Sequence, residues 1–155
     1  MIANEVYVDP SALSRLYIHQ VGSREMAAWR ARVRGALPVT HDGRTEVING
    51  ICRVAFLGQL DKSGMANALA DLSADFAAGH LSQADILWRA ALNRAAELSQ
   101  THTPKLGTRS LDVLHVACAV ELKSRYFLTF DIRQQQLAAV VGLKIIRLKF
   151  DQIET

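Results

Sequence analysis

The chain has 155 residues, half of them apolar and 21% charged, with a formal net charge of +3. That length suits a single domain over residues 1–155 with a sizeable core, and the composition excludes a disordered or fibrous chain. The mild positive balance permits a polyanionic partner without demanding one, because the basic residues are scattered through helical segments and form no dense tail.

In chain order, "EVYV" (5–8) is the first predicted strand. It runs straight into Asp9 and Pro10, an aspartate cap with proline at the first helical position. "SALSRLYIH" and "SREMAAWRARVRG" read as helices, the second closed by Gly35. "LPVT" (37–40) is a short strand, and "TEVINGICRVAFLGQL", "SGMANALADLSADFAAG" and "ADILWRAALNRAAELSQ" are helices. Residues 101–110, with Pro104 and Gly107, read as a surface loop. "LDVLHVACAV" is apolar nearly all round, as a helix buried in a layered fold should be. "YFLTF" (126–130), the helix "IRQQQLAAVVG" and a last strand "LKIIRL" (143–148) complete the series. Few strands among many helices predict an α/β domain, a parallel sheet with helices on both faces.

No apolar run reaches the length of a bilayer span, so no membrane association is expected. The N-terminal "MIANEVYVD" lacks the charged-then-apolar layout of a secretion signal. Cys52 and Cys118 stand far apart in apolar helical patterns, which predicts buried free thiols in a reducing cytoplasm.

Four carboxylates stand out by position. "YFLTFDIRQQQL" repeats the pattern of "VYVDPSAL", so Asp131 is the positional twin of Asp9, each leading from a strand into a helix. In an open α/β sheet such strand ends line one edge, where ligands bind. If the two strands are neighbours they lie roughly 5 Å apart. Two ionised carboxylates at that separation repel by roughly 3 kcal/mol at an effective dielectric of about 20, so the pair wants a shared proton or a cation. Glu46 and Asp112 open two further helices in apolar surroundings, with Arg109 one turn before Asp112 as a structural partner. For any one of these acids a cap or ion pair is explanation enough; for four together it is the poorer account. Carboxylates without a His–Cys cluster make an oxygen site suited to Mg²⁺ or Mn²⁺ rather than zinc, and such sites serve phosphodiester hydrolysis.

"YVDPSALSRLY", "TEV", "RSLDVLHVACAV" and "FLTFDIRQQQLAAVVGLKII" resemble, in order and spacing, the acidic motifs of PIN-domain ribonucleases, closest to the VapC-type toxins of toxin–antitoxin pairs. The likeness spans most of the chain, though 61–108 carries none of the motifs. It implies a three-layer domain, a central parallel sheet of four to five strands flanked by helices, with the first and fourth strands side by side. It further implies a metal-dependent endoribonuclease whose catalytic and metal-holding acids are Asp9, Glu46, Asp112 and Asp131. Thr129 matches the family's small hydroxyl residue, placed to orient Asp131. An RNA substrate, a cognate protein antitoxin and a homodimer are the partners expected from it.

Beside these, Ser11 is placed to bond Asp9 or a phosphate, and Arg44, Arg109 and Arg133 flank the acidic motifs as candidate RNA contacts. His115, one turn after Asp112, reads as a packed, hydrogen-bonded core residue in preference to a general base. Trp29, Trp88, Tyr17 and Phe76 read as core or partner-facing. Two other functions compete. A non-catalytic module on the same fold is one. A phosphotransfer receiver, with Lys149 as its lysine, is the other, and it lacks a third strand-end aspartate.

Overall fold

The structure, a computed structural model, describes residues 1–148, so Lys149 lies outside the described residues. Strands β1 (Val6–Val8), β4 (Tyr126–Leu128) and β5 (Lys144–Ile145) form a parallel sheet in the order β1-β4-β5. A second parallel pair joins β2 (Leu37–Thr40) to β3 (Leu81–Ala84). The expected single sheet of four to five strands is thus two hydrogen-bonded sheets. β1 bonds β4 along its whole length, whereas on the β2 side the chain is tied by an Ile2–Arg34 bridge, with Ala3 N donating to Arg34 O at 2.9 Å. The first and fourth strands are neighbours, as expected.

Side-chain alternation along β1 and β4 builds two cores on opposite faces. Val6, Val8 and Leu128 join α1 (Pro10–Leu13), α2 (Ser23–Arg32), α3 (His41–Phe56) and α4 (Lys62–Ala77) through Leu13, Trp29, Ile51 and Leu72. Tyr7 and Phe127, stacked at 5.5 Å, face the other way. There they meet α5 (Trp88–Leu106), α6 (Ser110–Glu121) and α7 (Ile132–Val140) through Ala91, Val116 and Leu137. The result is an α/β domain of parallel strands between helical layers. Among the described residues no helix is long and apolar enough to cross a membrane.

Several local expectations need correction. Residues 101–106 continue α5 rather than looping; Pro104 sits in the last turn, and Gly107, at φ +66°, ends the helix. α5 starts at Trp88 because residues 81–84 are spent on β3, in register from Leu37↔Leu81 to Thr40↔Ala84. α2 ends at Arg32, short of Gly35, since Val33 is already extended. The strand at 143–148 shrinks to Lys144–Ile145. α3 begins at His41, capped by Thr40, whose Oγ1 accepts from Gly43 N at 3.0 Å. Glu46 therefore lies more than a turn inside its helix and does not open it. Cys118 is buried and its thiol is pushed up to about 12 by burial, whereas Cys52 is only half-buried.

Candidate functional site

The C-terminal ends of β1 and β4 set the position of the site. Val8 pairs with Leu128, and Asp9 N donates to Leu128 O at 2.9 Å, which puts Asp9 beside Thr129 and leaves Asp131 two residues further along. The two acids are twins in role but not directly opposed. Asp9 caps α1: its Oδ2 accepts from Ser11 N at 3.1 Å and from the Ser11 hydroxyl, with Pro10 at the first helical position. Asp131 caps α7, its Oδ1 accepting from Gln134 N at 2.9 Å. Thr129 Oγ1 accepts from Asp131 N at 3.2 Å, so it fixes that residue's backbone and not the carboxylate.

Asp112 lies in the first turn of α6, and its carboxylate is 21% exposed. Arg109 donates from Nε to Asp112 Oδ2 at 3.3 Å, and its Nη2 stands 4.0 Å from Asp131 Oδ2. The guanidinium, 81% exposed, thus spans two of the acids. Burial raises the Asp112 pKa above the usual carboxylate range; Arg109 opposes this and the charges of Asp131 and Asp9 add to it.

Glu46 enters from α3. His115 Nε2 is 2.7 Å from Glu46 Oε2 and 3.7 Å from Asp42 Oδ2, and Nδ1 is 2.7 Å from the Tyr7 hydroxyl. A ring that accepts from Tyr7 at Nδ1 donates from Nε2 to Glu46, which satisfies both contacts. His115 is 2% exposed, so the core reading holds, but its partner is one of the four acids. Burial pulls its pKa down, and the Glu46 hydrogen bond with the charges of Asp9, Glu46 and Asp42 more than offsets that, leaving a net rise.

The four acids of the sequence analysis line one cavity of about 420 Å³, together with Ser11, Arg109 and His115. Arg133 borders an adjoining cavity of about 460 Å³ that shares Arg109, Asp112 and Asp131. Arg44 lies over the Phe76 ring at 4.6 Å and is outside both linings. Another cavity, about 550 Å³, lies away from the acids, and its polar groups are already engaged: the Tyr17 hydroxyl donates to Asp75 Oδ2 at 2.6 Å, and Arg30 donates to the carbonyls of Val33, Gly35 and His80.

Asp42 was not singled out from sequence. It stands four residues before Glu46 on the same face of α3, a spacing that marks it as a neighbour. Single ligand atoms of Asp42, Glu46 and His115 lie within 4.8 Å of one another, and Asp42 Oδ2 is buried without a hydrogen-bond partner among the described residues. Two donor sets therefore meet at Glu46: the all-oxygen set lining the cavity, and a trio in which His115 Nε2 is already committed to Glu46 and Asp42 is not part of the lining. Asp112 sits in a helix and is not a strand-end aspartate; Asp85 does directly follow β3, but it is largely exposed, pairs with His41 at 3.2 Å and is not part of the acidic cavity's lining.

No protein-family model and no curated protein matches the chain.

The charge cluster makes stability depend on pH in a definite direction. The raised His115 pKa gives stability that is complete below the usual 6.5 and is lost as pH rises through the folded value. Asp112 and Asp42, both raised by burial, bind protons more readily folded than unfolded, so each adds stability as pH falls toward the usual 3.8. The three signs agree. The metal-free protein is expected to melt higher at about pH 6 than at about pH 8 in thermal scans with chelator; a flat or opposite trend contradicts these protonations.

Proposed function

We propose that this protein is a metal-dependent endoribonuclease of the PIN type, the toxin of a type II toxin–antitoxin pair. The observation that carries the nuclease reading is the convergence of Asp9, Glu46, Asp112 and Asp131, from four separate elements, on one open cleft. The resemblance of the motifs to VapC-type toxins supports the toxin reading, and with it a cognate protein antitoxin, a homodimer and a cytoplasmic setting.

The donor set fits a hard divalent cation. Asp9, Asp112 and Asp131 offer only oxygens, and Arg109 already places a positive charge between two of them. A bound Mg²⁺ or Mn²⁺ supplies an activated water and offsets charge on the phosphoryl oxygens. The chain's own residues do the rest. Asp9, Asp112, Asp131 and Glu46 hold the cation's side of the cleft. Arg109, largely exposed, turns from the carboxylates to an RNA phosphate, and Arg133 extends that basic edge into the adjoining cavity. Glu46, fixed by His115, presents its free oxygen to the cleft.

The expected result is RNA cleavage that requires Mg²⁺ or Mn²⁺, stops with chelator and is poorly supported by zinc, measured on purified protein with structured and unstructured RNA. Cleavage that persists in chelator contradicts the reading.

A further inference from the structure

Gln134 stands first in a run of three glutamines on α7, and nothing in the sequence sets it apart from the two that follow. In the fold it is fully buried and touches three of the four acids. Its Nε2 donates to Asp9 Oδ1 at 3.0 Å and to the Asp112 carbonyl oxygen at 3.2 Å. Its backbone N donates to Asp131 Oδ1 at 2.9 Å. One residue therefore ties the end of β1, the first turn of α6 and the first turn of α7 together.

Packing alone does not explain this side chain. Oε1 is buried without a hydrogen-bond partner among the described residues, an uncompensated polar burial that a methionine of similar length would avoid. The amide supplies what methionine cannot. It gives Asp9 Oδ1 a donor, complementing the two donors that Ser11 gives Oδ2, and does so without a charge. A lysine or arginine there would neutralise Asp9 and compete with a cation; a glutamate would repel it.

We propose that Gln134 is the positioning residue of the acidic cleft, fixing Asp9, Asp112 and Asp131 relative to one another so that their oxygens meet one divalent cation. The inference rests on the metal-dependent reading above. Residues that orient metal ligands from behind typically govern metal affinity by about 10- to 100-fold.

The test is Mn²⁺ binding, read by electron paramagnetic resonance, in wild type and Gln134→Met, with near-ultraviolet circular dichroism to establish that both are folded. A 10- to 100-fold loss of affinity in folded Gln134→Met is expected. Equal affinity overturns the inference while leaving the metal reading in place; a wild type that binds no Mn²⁺ removes both. Should Gln134→Met fail to fold, the wild type decides alone, through the Gln134 side-chain amide resonances in glutamine-labelled protein. These are expected to be protected from solvent exchange and to shift on Mg²⁺ saturation. Exchange at the rate of an exposed glutamine, or no shift with Mg²⁺, overturns the proposal.

Discussion

Asp112→Asn is expected to abolish metal-dependent RNA cleavage while leaving the protein folded. The side chain keeps its shape, and the substitution removes a carboxylate whose charge the fold already disfavours through burial. Arg109 loses one partner and keeps Asp131 within 4.0 Å. What disappears is one of the cleft's anionic oxygens. Metal-ion catalysis supplies several kcal/mol of transition-state stabilisation, and each 1.4 kcal/mol is tenfold in rate, so a loss of about a hundredfold or more is expected. Initial rates at saturating Mg²⁺, wild type against variant, give the number. Equal rates in the two preparations would place the cutting at another site or in a contaminant.

Asp9→Asn is expected to separate cap from ligand. As a cap alone, Asp9 would tolerate Asn with almost no change and lose about 1 kcal/mol as Ala. Crowding at the strand ends adds an opposite effect, because removing one charge relieves repulsion of roughly 1 to 3 kcal/mol. The structure supplies a third effect. An Asn whose oxygen accepts from Ser11 turns its NH₂ toward the Gln134 NH₂, donor against donor, at a cost of about 1 to 3 kcal/mol. The last two nearly cancel, so the metal-free variant is expected within about 2 kcal/mol of wild type. The response to metal does not cancel. Mg²⁺ at about a hundred times its dissociation constant stabilises a native-state binder by about 2.7 kcal/mol, and Asp9→Asn should lose most of that increment. Denaturant melts of both proteins, with metal and with chelator, yield the four values. An unchanged metal increment would leave Asp9 a cap and nothing more.

Much of the acidic cleft was legible because its signals are local. Strand, aspartate, helix is a pattern readable at Asp9 and Asp131, and the buried α6 announces Asp112 by its apolar surroundings. The parts that were not legible depend on distant contacts or on weak local chemistry. "LSQA" has no β-branched residue, and it becomes β3 only because Leu81 docks in register beside Leu37. Pro104 suggested a loop, yet α5 carries it three residues before Gly107, giving up the one N–H that would reach the Gln100 carbonyl. His115 was correctly placed in the core, but its contact with Glu46 spans 69 residues of sequence. Gln134 is the same residue type as Gln135 and Gln136 after it, and only the docking of α7 beside the end of β1 selects it.

The most direct test is a crystal soaked in Mn²⁺ and read for anomalous scattering in the acidic cleft. The expected result is a peak bonded to the carboxylate oxygens of Asp9, Asp112 and Asp131, with Arg109 displaced from between them. Density seated only on Asp42, Glu46 and His115, or no density at saturating Mn²⁺, would contradict it.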